Sequence, residues 1–100
     1  MGLDISKYGI ENAKNEVKEF LKVGNCISLP FEDGAFDFIY SINTFHNLMN
    51  FELSSALKEM QRVGKKHLYI CVESYRNECE KANLLYWQLT CETFFTPDEW

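Results

Sequence analysis

The sequence predicts an α/β fold built on an open parallel sheet with flanking helices, with only its central part present. Short apolar segments alternate with amphipathic helical segments, in the order strand, helix, strand, loop, strand, helix, strand, helix. The segment 36–40 is apolar almost throughout, which is typical of a strand covered on both faces. Parallel strands that follow one another in this way are joined by right-handed crossovers.

The first half of the chain predicts one strand, one helix and a second strand. Residues 2–5 read as the end of a strand, and Ser6 is suited to cap a helix behind it. The apolar residues of that helix share one face: Ile10, Ala13 and Val17. Residues 20–23 predict a second short strand, which a Gly-Asn pair ends.

The second half predicts a strand at 36–40, a long helix, a strand at 67–72 and a helix at 77–89. The long helix has apolar residues at helical spacing: Leu53, Ala56, Leu57, Met60 and Val63. Gly64 is expected to end this helix as a C-cap.

Both ends of the chain interrupt an element. The chain opens almost at the end of a strand, and it closes on Thr96, Pro97 and Glu99, the signature of a helix start. Residues 1–100 are therefore interpreted as one partial domain, whose N- and C-terminal parts are missing.

Composition excludes several classes of function. The net charge is −5 and no segment concentrates Lys and Arg, which argues against nucleic acid as the main partner. No apolar run approaches the roughly 20 residues of a membrane span, and the N-terminus does not resemble a signal peptide. The four cysteines have no metal-knuckle spacing, so we expect no metal site and reduced thiols in a cytoplasmic protein. They are Cys26, Cys71, Cys79 and Cys91.

Polar residues follow every predicted strand. Ligands of open parallel sheets bind at the carboxyl ends of the strands, so these residues are the candidates for a site. They are Asp4, Asn25, Cys26, Ser41, Asn43, His46, Glu73 and Tyr75. From its position alone, Asp4 is as suited to grip two ribose hydroxyls as to be a helix-capping or surface carboxylate.

Three segments carry a resemblance to a known family: GLDIS, VGNCISLPFEDGAFDFIYSINTFHNL and ALKEMQRVGKKHLYICVESY. Together they resemble a class I S-adenosylmethionine-dependent methyltransferase of the small-molecule branch that includes ubiquinone-biosynthesis-type enzymes. The resemblance covers about residues 2–75, and Leu-Pro-Phe-x-Asp-x-x-Phe-Asp is its specific part. It implies a Rossmann-like sheet, S-adenosylmethionine as cofactor and a small-molecule methyl acceptor. The glycine-rich loop that precedes the Asp4 position in the family is missing.

The resemblance also implies a cofactor site. Asp4 corresponds to the acidic residue that holds the ribose hydroxyls, and Ile5 to the apolar residue that lies against the adenine. Asn25 takes the place of the family's Asp, which receives the adenine amino group, and Cys26 would offer its backbone N–H to the ring.

The methionine part of the cofactor is expected to face Ser41 and Ile42. His46 matches the first His of the family's Leu-His-His-Leu, so it is either a general base or a residue that orients a loop. Acceptor-side residues are expected at two strand ends: Asn43, Glu73 and Tyr75.

Two alternatives remain open from the sequence. A nicotinamide-dependent oxidoreductase shares the ribose-binding acid at a strand end. A non-catalytic Rossmann-like interaction module would account for the missing loop. The isolated chain is also expected to self-associate, because a missing strand leaves a sheet edge exposed.

Overall fold

The computed structural model describes residues 1–100 as a small Rossmann-like α/β fold of parallel strands and helices. The elements are β1 (Gly2–Asp4), α1 (Lys7–Glu11), α2 (Asn15–Lys18), β2 (Leu21–Val23), β3 (Phe36–Ile42), α3 (Asn50–Val63), β4 (Gly64–Cys71) and α4 (Glu78–Trp87). A 3-10 turn at Phe45–Asn47 lies between β3 and α3. No helix is both long and apolar enough to traverse a bilayer.

The first parallel unit consists of β1, α1, α2 and β2. Gly2 lies opposite Leu21 and Asp4 opposite Val23. The single helix predicted between these strands is wrong: the structure has two short helices. Asn12 ends α1, donating both its backbone N–H and its side-chain Nδ2 to the carbonyl of Tyr8. The side-chain bond competes with continuation of the helix, which explains the break.

The second parallel unit consists of β3, α3 and β4. Tyr40 lies opposite Tyr69 and Ile42 opposite Cys71. The predicted apolar face of α3 is confirmed for four of its five residues, Leu53, Ala56, Met60 and Val63, which are buried. Leu57 is 39% exposed, because the buried stripe is narrower than the predicted one.

Gly64 follows α3 as predicted, but not for the predicted reason. Its backbone is extended (φ −90°, ψ 136°), so β4 begins at once, three residues before the predicted start at 67. A Cβ at this position would lie 2.6 Å from Leu68 Cδ2 and 3.0 Å from the Met60 carbonyl oxygen. Gly is therefore needed for a close approach and not for a left-handed conformation.

The two parallel units are not hydrogen-bonded to one another. The strand order is β1-β2 in one sheet and β3-β4 in the other, where the sequence predicted one sheet. The core lies in the second unit, between α3 and β3, around Phe45, Leu53, Ala56 and Met60. All nine buried residues lie at position 45 or later.

Candidate cofactor site

The carboxyl ends of β1, β2 and β3 surround a cavity of about 520 Å³, the polar crevice. It is lined by residues 3–5, residues 24–26, Asn43, Thr44, Asn47, Leu48 and Glu52. Three strands of the two separate units thus contribute to one site. This is the location at which open parallel sheets bind ligands.

Asp4 lies in the polar crevice at the end of β1. Its Oδ1 accepts a hydrogen bond from the Ser6 N–H at 2.7 Å, whereas the Ser6 hydroxyl caps α1 by accepting from the Gly9 N–H at 3.0 Å. Helix capping, one of the roles that the sequence left open for Asp4, thus belongs to Ser6. Oδ2 of Asp4 accepts no hydrogen bond from the protein, and a carboxylate has room for further donors.

Asn25 and Cys26 contribute the second strand end. Asn25 Oδ1 accepts from the Ile27 N–H at 3.1 Å, which fixes the amide and leaves one lone pair of that oxygen for another donor. Cys26 is half-buried and packs against the core. Burial raises the pKa of the Cys26 thiol, and the nearby Glu52 carboxylate raises it further, so the thiol is protonated at neutral pH.

The end of β3 is divided between two cavities. Asn43 lines the polar crevice, with its backbone in the left-handed region at φ 52°. Ser41 and Ile42 do not line this crevice; they line a second cavity of about 360 Å³, the apolar cleft. Four of the six predicted cofactor residues are therefore brought together, and these two are not.

The apolar cleft lies between β1 and β3. It is lined by residues 1–3, by Phe36 and residues 38–42, and by Cys26, Leu29, Phe31, Thr44, Phe45, Met60 and Val63. None of these residues has a charged side chain.

His46 is fully buried and lines neither cavity. Its Nδ1 accepts from the Glu73 N–H at 3.1 Å, and its carbonyl oxygen accepts from the N–H groups of Glu92 and Thr93. Burial lowers the pKa of His46, against a smaller opposing effect of Glu73, so the ring is neutral at pH 7. This geometry favours the orienting role over the catalytic one.

The predicted acceptor residues do not form one group. Asn43 lies in the polar crevice, whereas Glu73 and Tyr75 line neither cavity. The Lys81 ammonium lies 5.1 Å from the centroid of the Tyr75 ring, so this ring packs towards α4. The structure also gathers no three His, Cys, Asp or Glu side chains that could hold a metal ion.

The far wall of the crevice was not predicted from the sequence; it is formed by Thr44, Asn47, Leu48 and Glu52. Glu52 lies in the first turn of α3, where its carboxylate accepts from the Met49 N–H at 3.1 Å. Asp4 and Glu52 give the crevice two carboxylates, and no Lys, Arg or His lines it. No local sequence pattern points to this wall, because Glu52 reaches the crevice only through the direction in which α3 leaves the 3-10 turn.

A network around Arg62 fixes the segment 29–33, which follows the crevice residues. The guanidinium donates to the carbonyl oxygens of Leu29 (3.0 Å) and Phe31 (2.8 Å). It also pairs with Asp33 and Glu59, each at 2.7 Å. Hydrogen bonds from Arg62 lower the pKa of Glu59 to about 2, and the Leu29 N–H adds to this. The specific Leu-Pro-Phe-x-Asp motif is thus a loop held against α3.

One comparison with known proteins gives a match. A family model described as "Methyltransferase domain" matches residues 1–72, which include all four strands and the whole lining of the polar crevice. A search of the curated proteins finds no match.

Proposed function

The chain belongs to the methyltransferase domain family, and on this premise we propose that the protein transfers a methyl group from S-adenosylmethionine to a small-molecule acceptor. The observation that carries the proposal is the meeting of Asp4, Asn25 and Asn43 in one crevice at the carboxyl ends of β1, β2 and β3. The resemblance to the small-molecule, ubiquinone-biosynthesis-like branch supports a small acceptor.

The donor set of the crevice is compatible with this cofactor. Asp4 has a free carboxylate oxygen for the ribose hydroxyls, and the Asn25 carbonyl has a lone pair for the adenine amino group. Ile5 is 73% exposed beside them, which leaves its side chain available to lie against a ring. The two carboxylates, Asp4 and Glu52, favour a positively charged ligand.

The chain's own residues contribute binding and alignment. When bound, S-adenosylmethionine supplies an electrophilic methyl group on a sulfonium. Asp4 and Asn25 would hold the adenosine, and Asn43 and Asn47 would present amides near the methyl group. Ser41 and Ile42 line the apolar cleft and not the polar crevice, so the proposed cofactor site does not include them. Transfer by in-line displacement depends chiefly on alignment, so buried His46 positions its loop rather than removing a proton.

We further propose that residues 1–100 are the central part of a larger class I domain in a cytoplasmic protein. The separation of the sheet into two pairs supports the incomplete domain, and four free thiols support a reducing compartment. The alternative of a non-catalytic interaction module is distinguished by cofactor binding. The nicotinamide-dependent alternative finds no support in the family match.

The experiment is a titration of S-adenosylhomocysteine, followed calorimetrically, into the full-length parent protein. We expect Asp4→Ala to weaken binding by about tenfold or more, because a hydrogen bond to a charged group contributes about 1.5–3 kcal/mol. Asp37→Ala is the matched control, since Asp37 is an exposed carboxylate of β3 that lines neither cavity. Equal affinity of the two variants would remove Asp4 from the site.

Self-association is proposed as well. Each two-stranded sheet has unpaired edges, and an exposed edge pairs readily with another chain. Light scattering over a range of concentrations should show a mass that rises with concentration. A constant monomer mass would contradict this proposal.

A further inference from the structure

The far wall of the polar crevice is held from behind by residues that do not line it. Residues 90–93, the clamp segment, form hydrogen bonds with the 3-10 turn and with Leu48 directly after it. No residue beyond Glu52 lines the crevice, and the clamp segment also lies outside residues 1–72, which the family model matches. An effect of this segment on the crevice therefore passes through the turn.

The backbone of the clamp segment is bonded to the turn. The His46 carbonyl oxygen accepts hydrogen bonds from the N–H groups of Glu92 (2.8 Å) and Thr93 (3.0 Å). The Thr93 hydroxyl donates to the Leu48 carbonyl oxygen at 2.7 Å. Thr93 is only 1% exposed, and hydrogen bonds are stronger where water is excluded. These bonds fix the point at which Leu48, a residue of the far wall, leaves the turn.

The side-chain amide of Asn47 is oriented from two sides. Its Nδ2 donates to the Asn43 carbonyl oxygen at 3.2 Å, and a carbonyl oxygen can only accept. Oδ1 and Nδ2 lie on opposite sides of the amide, so Oδ1 faces Thr90 and accepts from its hydroxyl at 2.9 Å. An amide has two hydrogens and two lone pairs on its oxygen, so one of each remains for a ligand. Asn47 lines the polar crevice, where such a ligand would lie.

Thr90 differs from its neighbours in what its side chain contributes. It is exposed, whereas Cys91 and Thr93 are buried. Substitution of an exposed residue usually changes stability by less than about 0.5 kcal/mol. The Thr90 hydroxyl is nevertheless bonded to Asn47, which is 43 positions away in the sequence and belongs to the crevice. Loss of this hydroxyl should therefore disturb the amide and leave the fold intact.

We propose that Thr90 is a positioning residue of the cofactor site, which holds the Asn47 amide in the orientation that meets the ligand. This inference rests on the proposed function. With Thr90 in place, Asn47 presents a fixed donor and a fixed acceptor to the crevice. Without the hydroxyl, the Asn43 carbonyl alone restrains the amide. A ligand that binds an already ordered side chain loses less conformational entropy.

The first test needs no ligand and measures the order of the Asn47 amide by NMR in the full-length parent protein. Thr90→Val keeps the shape of threonine but lacks the hydroxyl, so the order parameter of the Asn47 side-chain nitrogen should fall below about 0.6, the range of flexible groups. Thr90→Ser keeps the hydroxyl and should restore the order. The Asn25 amide, held by the Ile27 N–H, is the internal reference. An unchanged Asn47 order parameter in Thr90→Val, or no recovery in Thr90→Ser, would overturn the proposal.

The second test is a calorimetric titration of S-adenosylhomocysteine into the same proteins. Thr90→Val should weaken binding about three- to tenfold, the range for one neutral hydrogen bond, and Thr90→Ser should bind within about twofold of the parent. Thr96→Val is the matched control, because the Thr96 hydroxyl donates to the Glu99 carboxylate and not to the turn. It should leave the affinity unchanged. Parental affinity in Thr90→Val would contradict a positioning role.

A double-mutant cycle determines whether Thr90 acts through Asn47. Asn47→Ala removes the amide, so adding Thr90→Val to it should cause no further loss of affinity for S-adenosylhomocysteine. A residue that only stabilised the fold would cause the same loss in both backgrounds. Equal losses with and without the Asn47 amide would therefore overturn the proposal.

Failure of the proposed function would give a different result. If the parent protein itself did not bind S-adenosylhomocysteine, the proposed function would be contradicted, while the order parameters would still decide whether Thr90 holds Asn47. If the parent bound and Thr90→Val bound equally well, the proposed function would stand and the positioning role would be excluded.

Discussion

The two parallel units have the same topology but differ in the length of their elements and in the number of side chains that they bury. The second unit has strands of 7 and 8 residues and a 14-residue helix with four buried side chains. The first unit has strands of 3 residues each, helices of 5 and 4 residues, and no buried residue. Yet Asp4 and Ile5, the residues proposed to hold the adenosine, lie at the first unit. Stability and ligand contacts are therefore located in different parts of the chain.

This separation has a consequence for the dynamics of the site. Regions with few buried apolar contacts open locally at low free-energy cost, and a ligand that binds the closed form stabilises it. The first unit should thus exchange its amide hydrogens faster than the second, and S-adenosylhomocysteine should slow the exchange chiefly at β1 and β2.

The largest expected effect is a core truncation in the second unit. Met60 is 4% exposed within the core cluster, so Met60→Ala should lower the free energy of unfolding by about 2–5 kcal/mol, as measured by urea denaturation. Leu21→Ala in β2 is the matched change in the first unit, where the side chain is only half-buried. It should cost about 1 kcal/mol or less. Equal losses would contradict the contrast between the units.

Two glycines give a sharper comparison. Gly64→Ala would place a Cβ against Leu68 and the Met60 carbonyl, and we expect a loss of about 1–3 kcal/mol from overpacking. In α1, a Cβ at Gly9 would meet only the exposed Ser6 side chain, with Oγ at 3.3 Å and Cβ at 3.5 Å. Gly9→Ala should therefore change the unfolding free energy by less than about 1 kcal/mol in either direction. A costly Gly9→Ala would show that the first unit is more tightly packed than its burial indicates.

The Arg62 network should make the second unit sensitive to acid. Because the pKa of Glu59 is lowered from its ordinary 4.5 to about 2, its contribution to stability is present above pH 4.5 and is lost as pH falls towards 2. Arg62→Gln should flatten the dependence of the urea midpoint on pH within this window.

Arg76→Gln is the control for that prediction. Arg76 lowers the pKa of Glu80, as Arg62 lowers that of Glu59, but Arg76 and Glu80 are only four residues apart in one segment. It joins no distant elements, whereas Arg62 ties α3 to residues 29–33. A midpoint that keeps its full pH dependence in Arg62→Gln would show that other carboxylates cause it.

The sequence predicted the elements whose signals are local. The α3 face follows from helical spacing, and the Thr96–Glu99 helix-start signature appears as hydrogen bonds from the Thr96 N–H and hydroxyl to the Glu99 carboxylate. The sequence could also predict that four residues of the polar crevice lie together, because parallel strand ends meet at one edge of a sheet. They are Asp4, Ile5, Asn25 and Cys26.

The remaining features depend on long-range geometry. Hydrophobic spacing cannot reveal that β1 and β3 lack a common neighbour, so neither the separation of the sheets nor the placement of Ser41 and Ile42 in the apolar cleft could be predicted. The break at Asn12 arises from a side-chain hydrogen bond that competes with helix continuation. Glu52 was missed because its approach to the crevice depends on the direction in which α3 leaves the 3-10 turn.

The smallest expected effect concerns Asn43, where the second unit reaches the crevice. Its φ of 52° lies in the left-handed region, which Asn and Gly adopt more readily than other residues. Asn43→Ala should therefore cost about 1 kcal/mol more than Asn43→Gly in urea denaturation. Both variants keep the backbone N–H of residue 43, which donates to the Cys71 carbonyl (2.9 Å), and its carbonyl, which accepts from the Asn47 side-chain amide (3.2 Å). Both should therefore retain the turn. If the two variants were equally stable, the surrounding residues alone would hold the left-handed backbone at position 43. In that case any loss of S-adenosylhomocysteine affinity in either variant would report the missing Asn43 amide and not a distorted turn.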